Sequence, residues 1–369
     1  MRYLPLLGLL ALACQAPSTA PLPLVFPGAE WETASPDAVG LDGTRLRVAL
    51  DTIRAYCGAD GLRELLIVKD GYVVYAGDSS DKAHNIYSCT KSFTTTALGL
   101  LIADGRAGLD TKAASVEPAL AAAYPEVTLR HLATMTSGYS AVGDSRWGEP
   151  SADWSRTPYH PAPPLFAPGD AYLYWDEAMM LHGRVLTRLA ERDLYDYLNE
   201  RLMRPIGVRD WDWWADTTVL GLPQRNGCTG VSLSATDLAR VGWLYANGGR
   251  WADKQLLPSD WVAAATRPQV PVDLPLGPAD RSDVRGPGCY GYGWWTRGVA
   301  GAEWEMPDAP AGTAYMSGFN HNVCFVVPTA GLVVVRLGQD GNPAAGKHRA
   351  WNAFFRELRP PNYRARPPE

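Results

Sequence analysis

Leu46, Ala49, Leu50 and Ile53 recur at helical spacing behind the start signal Ser35-Pro36-Asp37, which predicts one amphipathic helix over residues 45–56. Two β-rich runs follow, 64–69 and 72–76. Asp70-Gly71 separates them, a dipeptide that favours a tight hairpin because both central residues take positive φ. Residues 94–102 are apolar on nearly every side after the first turn, the pattern of a helix buried all round, with an end near Asp104-Gly105. From there to about residue 225 strand-like runs are scarce, and 129–133 and 178–189 read as helices between long Pro/Gly/Trp loops. Residues 231–240 read as an N-capped helix start, and 251–265 continue in the same manner. Runs 290–295, 322–327 and 331–336 are again β-rich, and a helix over 351–358 closes the pattern. The order is helix, two strands, buried helix, helical insertion, three or more strands, helix. It predicts an α+β fold: an antiparallel sheet flanked by helices, plus a mainly helical lobe, with the active site between them.

Composition narrows the class of protein. A chain of 369 residues that is 46% hydrophobic and 20% charged can bury a large core, in one big domain or two lobes. A net charge of −5 without a basic cluster excludes a nucleic-acid-binding face. Residues 1–13 read as an export signal, with Arg2 as the charged start and Leu4 to Ala13 as an apolar stretch too short to span a membrane. Two cleavage points fit it: Ala13-Cys14, with Cys14 lipidated as a membrane anchor, or an ordinary cut after Ser18-Thr19-Ala20. The expected organisation is a signal peptide at 1–20, a Pro-rich tether at 21–34, a catalytic domain at 35–358 and a tail at 359–369. None of the six cysteines stands at metal-ligand spacing, so neither a metal nor another cofactor is expected.

The candidate chemistry starts the buried helix. Ser88 and Lys91 stand three residues apart in Tyr87-Ser88-Cys89-Thr90-Lys91-Ser92-Phe93, hence on one helix face. The amine can reach the hydroxyl, and the free N–H groups of the first turn face whatever Ser88 attacks. Burial lowers the proton affinity of a lysine, which would let Lys91 act as a base. Spacing alone also admits an N-cap serine with a snorkelling lysine. A second pair, Ser79 and Lys82, has the same spacing in a polar segment with no apolar helix behind it, and reads as a solvated turn.

Several segments in order strengthen the first pair: Ser88-Cys89-Thr90-Lys91, residues 129–138, Pro168-Gly169 leading to Tyr174-Trp175-Asp176, residues 234–240, Tyr290-Gly291-Tyr292-Gly293-Trp294 and Met316-Ser317-Gly318. Over roughly residues 35–358 the chain resembles the serine β-lactamase and penicillin-binding-protein-like superfamily, in its branch of class C β-lactamases, family VIII-type esterases and 6-aminohexanoate-dimer hydrolases. The resemblance implies acyl transfer through Ser88, with Lys91 as base, Tyr174 as proton relay and Asp176 as positioner, Asp standing where the family has Asn. It also implies an oxyanion hole from the backbone N–H groups of Ser88 and Phe319, and a substrate-binding strand at Met316, Ser317 and Gly318. Met316 occupies the place of a lysine that binds a substrate carboxylate in the β-lactamases, which turns the expectation toward neutral small-molecule esters or amides. The runner-up reading is a β-lactamase or D-alanyl-D-alanine carboxypeptidase; a further one is an inert envelope-binding module. His321 falls just after that strand, in a loop expected at the cleft mouth, where a substrate-binding role stands against a surface or structural one; His131, within a helix-start pattern, reads as structural. Cys228 and Cys289 are expected in loops flanking the cleft, as a disulfide.

Overall fold

The computed structural model describes residues 22–57, 60–143, 153–278, 286–299, 306–339 and 347–358. The export signal with Cys14, and the tail at 359–369, lie outside the described residues. Its centre is a six-stranded antiparallel sheet of β1 (Leu65–Lys69), β2 (Tyr72–Ala76), β3 (Trp295–Thr296), β4 (Ala314–Gly318), β5 (Asn322–Val327) and β6 (Leu332–Arg336), in the order β3-β4-β5-β6-β1-β2. Asp70 and Gly71 turn the first hairpin with φ of 53° and 91°, as the dipeptide predicts. All six residues of β5 and all five of β6 are buried, because both faces of the sheet are covered.

Period-two alternation sorts these strands between two cores. Val323, Phe325 and Val327 pack with helices α1 (Gly43–Tyr56) and the C-terminal helix, Lys347–Leu358, on one face. Cys324 and Val326, with Val333 and Val335 of β6, face the larger core, which holds the helical lobe. That lobe contains α2 (Thr90–Ala103), α3 (Leu129–Ala133), α4 (Asp176–Ala190) and α5 (Leu194–Leu198), while α6 (Ala235–Ala246) lies against β5 and β6. A shorter helix, α7 (Ser259–Ala265), precedes the glycine-rich run, and the C-terminal helix is α8.

Three stretches depart from the sequence reading. Val231–Leu233 is a strand that pairs with His84–Asn85 and Asp212–Trp213; Val231 and Leu233 are buried and Ser232 is not, and the Ser234 cap starts α6 only afterwards. Residues 250–255 form a two-stranded turn, which confines the following helix to α7. The run 290–295 folds back on itself, with Tyr290 bridging Trp295 and the Gly291 N–H bonded to the Trp294 carbonyl at 2.8 Å, so only its end joins the sheet.

Candidate active site

Ser88 lies in a single 3-10 turn, Tyr87–Cys89, that runs directly into α2. The turn is held from outside, since Asn85 Oδ1 accepts the Tyr87 N–H at 2.8 Å while Tyr87 takes a φ of 50°, a region sparsely occupied by bulky residues. The sheet edge presses on the same turn: a Cβ on Gly318 would come within 2.2 Å of the Ile86 carbonyl oxygen, so only glycine lets β4 approach so closely. Every residue of α2 from Thr90 to Leu101 is buried, although four of them are Ser92, Thr94, Thr95 and Thr96. Their hydroxyls bond to the carbonyls of Gly293, Gly227 and Tyr292 at 2.7–2.9 Å and to the Tyr245 hydroxyl at 2.7 Å, which makes a polar sequence compatible with a fully enclosed helix.

Lys91 Nζ donates to Ser88 Oγ at 2.8 Å and to the Cys228 carbonyl at 3.3 Å. It also pairs with Asp176 Oδ1 at 2.6 Å, lies 4.7 Å from the centre of the Tyr174 ring, and its side chain is 2% exposed. The Tyr174 phenol faces both Ser88 and Lys91, whose influence it feels. Its ring stacks on Trp295 of β3 at 5.6 Å, which ties the lobe to the sheet at the site. Four of the residues singled out in the sequence, Ser88, Lys91, Tyr174 and Asp176, therefore converge from two elements of the lobe.

Electrostatics correct one expectation. Burial pulls the Lys91 amine down, but the charge and hydrogen bond of Asp176, with smaller contributions from Tyr174 and Cys228, outweigh burial and hold the amine well above its ordinary range. The resting site thus carries a lysinium donating to Ser88, where burial alone would have left a free amine. Burial raises the Tyr174 phenol, partly opposed by Lys91, so it too keeps its proton.

Sequence reasoning missed what holds Asp176. Trp154 Nε1 donates to Asp176 Oδ2 at 2.6 Å, and the Asp153 carboxyl accepts the backbone N–H groups of Asp176 and Glu177, the latter at 2.8 Å. Asp153 thereby caps α4 from more than twenty residues away, where the adjacent Trp175 offers no side-chain cap. Burial and the facing Asp176 charge push the Asp153 carboxyl well up. Glu177, 2% exposed, accepts from Ser155 N–H at 2.6 Å and Ala141 N–H at 3.1 Å. Asp176-Glu177 opening an apolar-periodic helix was the available signal; nothing in the local pattern points to Asp153 or Trp154.

The other sequence candidates separate. Phe319 stands beside the nucleophile turn, its ring 5.5 Å from that of Tyr87 and 55% exposed. Met316 is a core residue on the face toward the lobe, and Ser317 looks toward α8. His321 is not at the cleft mouth: it is 2% exposed, and its Nε2 accepts from Trp351 Nε1 of α8 at 2.8 Å, the 3-10 turn Phe319–His321 after β4 directing it to the far face of the sheet. His131 closes a capping box with Thr128, a structural role. Cys228 carries a free thiol that bonds to Asn226 Oδ1 at 3.0 Å, so the Cys228–Cys289 disulfide is not formed. Lys82 of the second Ser/Lys pair is exposed and reaches Glu64 at 3.8 Å, consistent with a solvated turn.

A hydrogen-bonded serine and lysine with a tyrosine beside them, between an antiparallel sheet and a helical lobe, define a serine hydrolase superfamily. The chain belongs to the Beta-lactamase family, whose model matches residues 61–356. Among solved structures it is similar to EstCE1, a hydrolase with promiscuous acyltransferase activity, at 18% identity over 85% of this chain and 98% of that one, with a TM-score of 0.65. It is also similar to a penicillin-binding protein homologue from Caulobacter crescentus, at 19% identity over 86% and 99%, with a TM-score of 0.62. A family VIII carboxylesterase matches at 18% over 84% and 96%, with a TM-score of 0.59. These likenesses establish the fold. No curated protein matches the chain.

Proposed function

We propose that this protein is an exported serine hydrolase that cleaves uncharged carboxylic esters or amides through an acyl-enzyme on Ser88. The observation that carries the reading is the 2.8 Å bond between Lys91 Nζ and Ser88 Oγ in a buried site that Tyr174 lines, its ring 4.7 Å from the amine. Because Lys91 rests protonated, it must first give a proton to Asp176 across their 2.6 Å contact, turning an ion pair into a neutral pair, a change favoured when substrate displaces water. The free amine then takes the Ser88 hydroxyl proton as Oγ bonds to the substrate carbonyl carbon. On collapse, Tyr174 gives its proton to the leaving oxygen or nitrogen and recovers one from Lys91. Water repeats the sequence in reverse to release the acid. The backbone N–H groups of Ser88 and Phe319 are assigned to the carbonyl oxygen.

Preference for neutral substrates is supported by charge. The amine nearest the nucleophile is already neutralised by Asp176, and Met316 offers no cation. A charge-assisted bond to a substrate carboxylate contributes about 1.5–3 kcal/mol, so its absence lowers turnover of an anionic cephalosporin roughly ten- to a hundredfold relative to a neutral aryl ester. Labelling with a fluorophosphonate, followed by rates on both substrates, tests the proposal. Ser88→Ala is expected to abolish labelling and Ser79→Ala to preserve it. Labelling that survives Ser88→Ala ends the mechanism, and equal efficiency on the two substrates ends the charge argument.

A further inference from the structure

The geometry points to Phe319 and Tyr87 as a preformed aromatic platform that takes the acyl part of the substrate, and so to esters of aryl or longer-chain acids as the substrate class. This rests on Ser88 being the nucleophile. Two of the aromatic side chains exposed among the described residues, Phe319 at 55% and Trp214 at 44%, lie around residues 85–88. Trp214 is coupled to that segment through Gly230, whose N–H bonds to Asn85 Oδ1 at 3.3 Å; the Trp214 N–H in turn bonds to the Gly230 carbonyl at 2.9 Å. Phe319 meets the Tyr87 ring edge-on at 5.5 Å. A phenylalanine that a fold leaves in water gains by being covered, and this one is covered only by something that enters beside the nucleophile.

The platform is built rigidly. Tyr87 (φ 50°), Asn320 (φ 62°) and His321 (φ 61°) all sit in the left-handed region, which persists in non-glycine residues only where the surroundings enforce it. The enforcement is visible: the Tyr87 N–H is held by Asn85, its hydroxyl accepts from Asn320 Nδ2 at 3.4 Å, the Asn320 carbonyl accepts from the buried Arg336 at 2.9 Å, and His321 is fixed by Trp351. Strain spent on holding an exposed ring in one place suits recognition, since a rigid two-ring surface loses little freedom on binding. The acyl group is the occupant because it is joined directly to the carbonyl carbon that Ser88 attacks, whose oxygen is assigned to the Phe319 backbone, and it stays there in the acyl-enzyme. The leaving group is one bond further off and departs.

The test uses the full chain and p-nitrophenyl esters of acetic, hexanoic and phenylacetic acid. The wild type is expected to favour the larger acyl groups. Phe319→Ala is expected to lower the kcat/KM ratio of phenylacetate to acetate about tenfold, and Phe319→Leu to restore part of it, because truncating a contacting ring removes most of its apolar cover. Tyr56→Ala, on α1, is the control and leaves the ratio in place. An unchanged ratio in Phe319→Ala, with fluorophosphonate labelling of Ser88 intact, overturns the platform and spares the nucleophile. Absence of wild-type labelling overturns both. A loss that follows the size of the alcohol rather than the acid overturns the acyl assignment.

Discussion

Asp176→Asn is the substitution on which the electrostatic account of the site depends. It keeps the shape, removes one charge and leaves one acceptor oxygen where Lys91 and Trp154 each used their own. At 2.6 Å the gross attraction in the ion pair is about 6 kcal/mol at an effective dielectric of about 20. Burial of both partners, 2% and 19% exposed, offsets much of this. Stranding one member of such a pair nevertheless costs about 3–5 kcal/mol, and the partial exposure of Asp176 places the expectation near about 3. The loss depends on pH with a definite sign. In the wild type the Lys91 amine is held above its unfolded value, so its contribution is full below that value and is lost only as pH rises through the folded one. In the variant the main opposition to burial is gone and the amine is driven the other way, so the variant regains stability as pH rises toward the unfolded lysine range. The gap between the two proteins is therefore widest at about pH 6 and narrows by about pH 9.5, and the acid limb of kcat/KM moves to lower pH because the base is freed more easily. Denaturant titrations at both pH values and a pH–rate profile on a neutral ester measure this. A stability gap independent of pH, or an acid limb that stays in place or moves upward, refutes it.

Further outcomes follow from other buried groups. His182 on α4 is fully buried, with no hydrogen bond to either ring nitrogen among the described residues, and burial pushes it down to about 3. Its stabilising contribution is complete above its unfolded value of about 6.5 and falls away as pH drops toward 3, amounting to about 2 kcal/mol lost by about pH 5. His182→Leu is expected to flatten that part of the stability–pH curve, and an equally steep curve in the variant contradicts the assignment. Met316→Lys places an amine in the core at a position 1% exposed and is expected to lower stability by about 3 kcal/mol in a denaturant titration, a loss under about 1 kcal/mol showing that the side chain escapes to the cleft. Cys14→Ala is expected to release the protein from the membrane fraction, on the Ala13-Cys14 junction behind the apolar stretch; a mature N-terminus at Pro21 sinks the lipid anchor.

Periodicity and turn chemistry were enough to place α1, the Asp70-Gly71 hairpin, α3 and β5, because in each the local preference and the burial pattern agree. The Ser88–Lys91 contact was equally legible, since three residues on one helix fix two side chains to the same face whatever surrounds them. Burial of that helix was legible as well, but the hydroxyls that make burial possible find their partners at residues 227, 245, 292 and 293, far along the chain. The charge state of Lys91 was decided only by the tertiary structure. Desolvation, which can be anticipated from an apolar helix, acts in one direction; a carboxylate brought within 2.6 Å from another helix acts in the other, and the net result is a raised amine. The cap that orients that carboxylate comes from Asp153, in a loop with no periodic signal. His321 shows the converse: sequence adjacency to the third motif suggested the cleft, and the turn Phe319–His321 between β4 and β5, with Asn320 and His321 both at positive φ, directs its ring to the core beneath α8.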